Sequence, residues 1–380
     1  MFENSTEEDP RRFRAKKVME MAMQFKTSSY SDDYKCPESS YYGGFQLLDQ
    51  ELTTRLRGAG KELLMMAGKK ILNGEFDLTK ISFPIKCMCP QSLLQTIPFF
   101  HSTAPVYLNY AASLNDPLER FKLVIVQSIN WYYHTSIFEK PLNPILGETF
   151  QTVGQDGAKI YLEQTAHHPP TSNFLIEGPN GNYKYTGWLA FSIKSGLTKS
   201  VVDPSGFKQI EFKDGQTIRH NYHKDLFYNI FMGNLSHQLF GKLEFKDEAN
   251  DLYAVFQMNE SRWKTQDYFD GEIKKGGQTV CKISGNYMGY FDIDGVRYWD
   301  IRDKDMFFTP AEMRPTNLAG VIPSDSTLRN DSIAMLNSPI EEAQVAKEDM
   351  EKLQRHDRKL REEAAKRRAN KGPKFVYPQK

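Results

Sequence analysis

The alternation of apolar and polar residues divides the chain into a helical first part, a middle part of short strands and a charged helical end. Apolar residues recur at helical spacings over residues 48–73 and predict a helix that Asn73 and Gly74 would end. Residues 11–26 form a weaker helix candidate. It would dock on the protein, contact a membrane surface or form a marginal helix in a tail, and residues 27–46 are typical of a linker.

Residues 90–135 carry two further helical patterns. The first helix is predicted to open at Pro90 and to end at Pro98. Asp116 and Pro117 start the second, because an aspartate can cap the first turn and the first helical position needs no backbone donor. The apolar stripe that follows predicts a helix that leads into the next loop and holds it in place.

The pattern changes to short strands between residues 147 and 302. The strand candidates are separated by Gly, Asn and Asp, and Asn180-Gly181 and Asp294-Gly295 are signals for tight hairpin turns. Many strands at short, regular spacing predict an antiparallel barrel or sandwich. A closed barrel would remove exposed edges and could enclose a ligand, but the pattern alone does not establish closure.

A long charged helix is predicted from about Pro339 to Arg368. Lys347, Glu351 and Arg355 follow one another at intervals of four residues, so they lie on one face of this helix. Taken alone, this spacing is typical of a salt-bridged face exposed to solvent.

Composition narrows the classes of function. The 380 residues suffice for one large domain or two ordinary ones, and a net charge of +1 does not favour bulk nucleic-acid binding. Four scattered cysteines are typical of a reducing compartment. The acidic first residues carry no secretory signal, and the sequence has no run of about twenty apolar residues. We therefore expect any membrane contact to be peripheral.

The densest group of candidate binding residues lies between residues 140 and 170. Lys140, Asn143, His167 and His168 can donate hydrogen bonds, and nearby prolines stiffen the backbone and lower the entropy lost on binding. Such donors fit an anion. The alternatives are a structural histidine pair and a zinc site, but the cysteines do not supply the patterned ligands that structural zinc requires.

Two segments of this region resemble the signature of the oxysterol-binding-protein-related family of lipid-transfer proteins. The family pattern Lys-Pro-x-Asn-Pro-x-Leu-Gly-Glu is matched in full from Lys140 onward. The pattern Glu-Gln-Val-Ser-His-His-Pro-Pro is matched up to Pro170, except at Thr165 and Ala166. We expect these two departures to tune a strand and not to abolish binding. The resemblance covers residues 50–375.

The resemblance implies one lipid-binding domain over residues 51–380, preceded by an N-terminal extension or linker over residues 1–50. The expected parts of the domain are a lid (54–76), helices (90–135), a barrel (147–302) and a C-terminal helical subdomain (303–380). The implied fold is mainly β with flanking helices (α+β), a large antiparallel β-barrel that encloses a lipid tunnel. On its own, the pattern of the lid segment fits an ordinary core helix.

The resemblance also implies ligands. The family carries phosphatidylinositol 4-phosphate and often a second lipid, a sterol or phosphatidylserine, in mutually exclusive fashion. The implied headgroup-binding residues are Lys140, Asn143, His167, His168, Lys347, Glu351 and Arg355. Glu351 would orient the two cations of the helix or bind inositol hydroxyls. The implied function is exchange of the two lipids between membranes, and the alternative is a lipid sensor or scaffold without net transport.

No enzyme, cofactor or metal is expected. An esterase or lipase would need a Gly-x-Ser-x-Gly elbow, which the sequence lacks. Glu148 and Glu163 could form an acid–base pair, but nothing in the sequence positions a water or a metal between them. The expected partners are the lipids and membrane surfaces, not nucleic acid. The expected location is cytoplasmic and peripheral at membranes.

Overall fold

The computed structural model describes residues 10–67, 76–77, 82–135, 137–167, 169–196, 198–259, 266–311 and 321–371. Its helices are α1 (Pro10–Met23), α2 (Gln50–Ala67), α3 (Leu93–Thr96), α4 (Ala104–Ser113), α5 (Pro117–Asn130), α6 (Tyr132–Thr135), α7 (Asn330–Asn337) and α8 (Ile340–Lys371). The first strands are β1 (Phe45–Gln46), β2 (Phe76–Asp77), β3 (Met88–Ser92), β4 (Lys140–Leu142), β5 (Thr149–Val153), β6 (Lys159–His167), β7 (Pro170–Glu177) and β8 (Tyr183–Ser195). They are followed by β9 (Lys199–Phe212), β10 (Thr217–His220), β11 (Lys224–Tyr228), β12 (Ser236–Asp247), β13 (Leu252–Met258), β14 (Tyr268–Lys275), β15 (Gln278–Asn286), β16 (Tyr290–Ile293) and β17 (Val296–Asp300).

One antiparallel sheet of 15 strands dominates the molecule. Its main path runs β17-β16-β15-β14-β13-β12-β10-β9-β8-β7-β6-β5, and β1, β2 and β11 pair with strands of this path. This confirms the prediction of a mainly β fold with flanking helices. Within the described residues, the edge strands β5 and β17 do not pair with each other, so the expected closed ring of hydrogen bonds is not formed.

The two predicted hairpin turns are confirmed. Asn180 and Gly181, between β7 and β8, have φ of 54° and 66°, and Asp294 and Gly295, between β16 and β17, have φ of 51° and 76°. Asparagine, aspartate and glycine tolerate this left-handed region better than other residues do. The turn residues therefore set the register of the strands that they connect.

The prediction for residues 90–135 was only partly correct. Pro90 lies in β3, which pairs in parallel with β4, and the first helix begins three residues later. Pro98 does not end a helix. It lies in the first turn of a 3₁₀ segment (Ile97–His101), where its missing N–H is not needed. Asp116 caps α5 as predicted, since its side chain accepts from the N–H of Leu118 at 2.8 Å.

The predicted linker packs against the sheet. Helix α1 docks through Val18 and Ala22, which are buried in the main core. The backbone N–H of Ser28 donates to the carbonyl of Arg297 at 2.8 Å, and that of Cys36 donates to the carbonyl of Met288 at 2.9 Å. Of the alternatives for the N-terminal segment, docking on the protein is therefore the one observed.

The main core lies between the helices and the inner face of the sheet. The consecutive residues Leu123, Val124, Ile125 and Val126 of α5 are all buried, so the rest of the protein surrounds this helix. Strand β13 buries every second residue, as expected for a strand with one face on a core. No described helix carries an apolar stretch long enough to cross a bilayer.

Candidate functional site

A small second core fixes the relative position of the segments that build the site. Ile85, Met88, Leu142 and Ala343 are buried and pack together. They belong to a 3₁₀ turn (Ile85–Cys87), β3, β4 and α8. Their contact brings the start of β4 beside the first turns of α8, so residues from the two halves of the chain can face each other.

Lys140 is the first residue of β4. Its ammonium donates to Oδ1 of Asn143 at 2.5 Å and to the carbonyl of Pro141 at 3.1 Å, and it lies 5.2 Å from the centroid of the Phe83 ring. Lys140 forms no ion pair with any described residue. Burial lowers the pKa of Lys140 to about 8, and the charge of Lys347 contributes to this shift.

Lys347 is a buried cation on α8. Its ammonium donates to Oγ of Ser82 at 2.7 Å and to Oε1 of Glu351 at 2.5 Å. The other carboxylate oxygen of Glu351 lies 3.6 Å from a guanidinium nitrogen of Arg355. Glu351 is therefore shared between the two cations of its helix face, as the sequence predicts.

His167 ends β6 and reaches the same helix. A bulge between Gln164 and Ala166 shifts the register of β6 against β7 just before it. Nε2 of Gln354 lies 2.9 Å from Nδ1 of His167. Because an amide nitrogen can only donate, Nδ1 is the acceptor, and the neutral ring carries its proton on Nε2.

A buried ionic network supports the loop that follows β4. The Glu148 carboxylate accepts from the hydroxyls of Ser92 at 2.5 Å and Ser326 at 2.7 Å, and from Arg329 at 2.7 Å. The same Arg329 nitrogen donates to the carbonyl of Asn143 at 2.7 Å. The network therefore holds the loop between Asn143 and Glu148 against the segment that precedes α7.

These segments enclose a cavity of about 330 Å³. The basic residues that line it are Lys140, Arg329, Lys347, Arg355 and Arg358. The acidic residues that line it are Asp331 and Glu351, and Phe191, Ile193 and Met350 provide an apolar part. Basic side chains outnumber acidic ones, so the cavity favours an anion with an apolar portion. The described residues contain no cluster of side chains suited to hold a metal ion.

Six of the seven residues predicted for the headgroup line this single cavity: Lys140, Asn143, His167, Lys347, Glu351 and Arg355. The seventh, His168, lies outside the described residues. Lys140 and Lys347 are 207 positions apart in the numbering, yet the fold places them on the same cavity wall.

Ser82, Gln354 and Arg358 are among the further lining residues that had no predicted role. Arg358 follows Arg355 by three residues, so the helical spacing could have revealed it. Ser82 and Gln354 carried no such signal, because each acquires its role only through a tertiary contact, with Lys347 and with His167.

Most of helix α2 belongs to the predicted lid (54–76), and this helix contacts two segments that are distant in sequence. Arg55 forms an ion pair with Glu139, the residue before β4. Arg57 donates to the carbonyl of Gly233, in the loop between β11 and β12. The predicted helix end at Asn73-Gly74 lies outside the described residues.

Comparisons with known proteins identify the family. The sequence model of the family described as oxysterol-binding protein matches residues 69–376. Oxysterol-binding protein 9 of Dictyostelium discoideum is 32% identical over 345 residues, which cover 83% of this chain and 79% of that protein. Oxysterol-binding protein-related protein 3 of Mus musculus is 26% identical over 311 residues, which cover 76% of this chain but 36% of that protein.

Two solved structures have the same fold. The Osh1 ORD domain in complex with ergosterol has a TM-score of 0.66 and 19% identity, and the match covers 99% of this chain and 91% of that one. The Osh3 ORD in complex with PI(4)P from Saccharomyces cerevisiae has a TM-score of 0.65 and 19% identity, and covers 89% of each chain. The family model spans most of this sequence and the Dictyostelium relative exceeds 30% identity, so the chain belongs to the oxysterol-binding protein family.

Proposed function

We propose that the protein extracts phosphatidylinositol 4-phosphate from membranes and exchanges it for a second lipid. The observation that carries this proposal is the convergence of Lys140, His167, Lys347 and Arg355 on one cavity. Three separate segments supply these donors. A sterol or phosphatidylserine is the second lipid, and the membranes are contacted from the cytoplasmic side at their surface.

The chemistry of the cavity fits a phosphate monoester. Lys140 has no carboxylate partner among the described residues, and its charge repels that of Lys347, so a dianion would relieve an existing repulsion. His167 carries a donor on Nε2 in its neutral form. Charge-assisted hydrogen bonds to phosphate are short and strong, which gives the headgroup both affinity and orientation. Asn143 and Glu351 orient the lysines through the bonds described above, and His168 completes the set.

The apolar part of the lipid must also be shielded from water. Each methylene moved into water costs about 0.8 kcal/mol, so the acyl chains of a lipid must be covered while it crosses the cytosol. Phe191 and Ile193 of β8 form part of the apolar lining of the cavity. We assign residues 54–76, which include most of α2, as the lid of the lipid-binding space. The lid, the helices (90–135), the barrel-like sheet (147–302) and the C-terminal subdomain (303–380) then act as one domain.

Extraction of phosphatidylinositol 4-phosphate from liposomes tests the site. Lys140→Met and the double variant H167A/H168A are each expected to reduce extraction about tenfold or more, because each removes charge-assisted or donor contacts. Lys352→Met is the control, since Lys352 lies on α8 but pairs with Asp349 at the exposed surface. Unaltered circular dichroism verifies the fold. Wild-type extraction by the first two variants would falsify the assignment.

Transport, sensing and catalysis give different results in one further assay. Donor liposomes hold the phosphoinositide, and acceptor liposomes hold either a sterol or phosphatidylserine. Exchange is expected in both directions with one of the two acceptor lipids, and mass spectrometry is expected to recover both lipids chemically unchanged. Binding without net exchange favours the sensor or scaffold, and a changed lipid favours an enzyme.

A further inference from the structure

The inner face of β9 carries a lysine where the packed core ends. Phe212, Ile210 and Lys208 point to the same side of the strand, and all three are buried, with Lys208 6% exposed. The next residues on this side, from Gly206 to Val202, are only partly buried. Lys208 therefore stands at the boundary between the dry core and a more open part of the sheet.

This open part leads to the cavity described above. All five residues of β11, which pairs with β9, are partly exposed, so neither face of β11 is fully packed. On β8, Phe191 and Ile193 line the cavity. Their partners on β9 are Pro204 and Val202. We call the partly buried side of β9 from Val202 to Lys208 the trough; it is about 20 Å long, or six residues at about 3.3 Å each.

The charge of Lys208 stands out among the described residues. No described residue forms an ion pair or hydrogen bond with its ammonium, whose nearest aromatic neighbours are Tyr222 and Trp131, with ring centroids 4.9 Å and 5.6 Å away. Burial lowers the pKa of Lys208 to about 8, so the side chain is still mainly charged at neutral pH. The nearby carboxylate of Asp225 is 2.8 Å from Nε2 of His237 and does not bond Lys208.

Three buried neighbours also keep polar atoms without hydrogen bonds to described residues. His220 of β10 stands directly opposite Lys208, and its Nε2 has no partner. His101 and Tyr185, whose ring centroids are 4.7 Å apart, leave Nδ1 and the hydroxyl unpaired. Burial and the charge of Lys208 lower the pKa of both histidines. Unpaired buried polar atoms are costly, so several of them around one cation point to a ligand.

We propose that Lys208, His101 and Tyr185 bind the acidic end group of a single-chain lipid, whose chain lies along the trough toward the cavity. The inference rests on the proposed lipid-binding function and goes beyond it, because this ligand is a single-chain acid, distinct from the sterol or phosphatidylserine proposed above. A carboxylate or phosphate neutralises Lys208 and accepts from Tyr185. A hydroxyl leaves the buried charge uncompensated, so the site selects acids over alcohols of the same chain length.

Equilibrium binding of three probes with the same oleyl or oleoyl chain tests the proposal in the full chain. The probes are oleate, oleoyl lysophosphatidate and oleyl alcohol, each below its micellar concentration. At least one acid is expected to bind about tenfold or more tightly than the alcohol. The stronger of the two acids identifies the end group as carboxylate or phosphate. Equal binding of the alcohol and both acids overturns the proposal.

Variants separate this site from the headgroup site. Lys208→Met is expected to remove the preference for the acid, while Lys208→Arg keeps the charge and most of the preference. Retained acid preference in Lys208→Met overturns the proposal. Lys140→Met is expected to lose phosphoinositide extraction but to keep acid binding. Wild-type extraction by Lys140→Met would therefore contradict the headgroup site alone, and equal binding of acids and alcohol by the wild type would contradict the Lys208 site alone. Thermal melting verifies that each variant folds.

Discussion

At the residue scale, the two lysines of the cavity differ in how their charges are compensated. Lys347 is paired with Glu351 at 2.5 Å, whereas Lys140 donates to neutral oxygens only. The bound phosphate is therefore expected to gain most from Lys140. The lowered pKa of Lys140 also makes it the group whose protonation controls binding near pH 8.

Headgroup binding is expected to weaken above pH 8. The free protein loses the Lys140 proton above a pKa of about 8, while the bound phosphate holds that proton on. The Kd for phosphatidylinositol 4-phosphate should therefore rise by up to about tenfold per pH unit above pH 8. Liposome extraction measured from pH 7 to 9.5 tests this, since the phosphate is already ionised throughout that range.

Lys140→Arg is the matched control for this pH dependence. The guanidinium of this variant stays protonated across the range. The variant is expected to bind phosphatidylinositol 4-phosphate more weakly than the wild type, but its Kd should not change between pH 7 and 9.5. An equally steep pH dependence in the arginine variant would contradict the role of Lys140.

The lowered pKa of Lys140 also affects the stability of the fold. Because the unfolded chain holds this proton up to about pH 10.5, the contribution of Lys140 to stability rises between pH 8 and pH 10.5.

At the element scale, the packing of α8 on β4 determines whether the cations converge. Ala343 is fully buried against Ile85, Met88 and Leu142. One helical turn later, Lys347 reaches the cavity. A displacement of α8 should therefore affect binding even though no residue that touches the ligand is changed.

Ala343→Leu is expected to separate α8 from β4. The added methyl groups overpack a filled contact, which costs about 1–3 kcal/mol of unfolding free energy. Extraction of phosphatidylinositol 4-phosphate should fall at the same time, because Lys347 and Lys140 move apart. Ala364→Leu, on the exposed part of the same helix, should change neither quantity. Urea denaturation and liposome extraction measure the two effects, and equal behaviour of the two variants would contradict the argument.

Glu148→Ala is expected to be the most destabilising change in the site. It leaves the buried Arg329 with one carboxylate fewer, and breaking a buried ion pair costs about 3–5 kcal/mol. Because Arg329 keeps its bond to Asp331, the lower end of this range applies. Urea denaturation measures the loss, and Glu163→Ala on an exposed position of β6 is the control. A loss below about 1 kcal/mol would show that the network does not hold the loop.

The sequence predicts those parts of the site that local spacing determines. The four-residue intervals put Lys347, Glu351 and Arg355 on one helix face, and the structure adds the shared carboxylate. The helix start predicted at Pro90 is wrong, because this segment forms a strand that pairs with β4, about fifty residues further along the chain. Alternation along β9 already puts Lys208 on the side of the apolar residues. No sequence pattern could show that the described residues around Lys208 form no hydrogen bond or ion pair with its ammonium.

At the scale of the whole molecule, a single sheet connects the two sites. Its inner face is packed from β12 to β16 and more open from β8 to β11, where the cavity and the trough lie. The antiparallel direction of the strands follows from the short connections between them, so the sequence predicts the class of architecture. The opening between β5 and β17 depends on long-range pairing and was not predictable.

The most direct test of phosphate binding by the two lysines compares phosphatidylinositol 4-phosphate with phosphatidylinositol, which lacks only the 4-phosphate. Liposome extraction of both lipids is measured for the wild type, Lys140→Met, Lys347→Met and the double variant. We expect at least about a tenfold preference for the phosphorylated lipid in the wild type, a smaller preference in each single variant and none in the double variant. A wild type without preference, or a double variant that keeps it, would contradict the claim that these two lysines bind the phosphate.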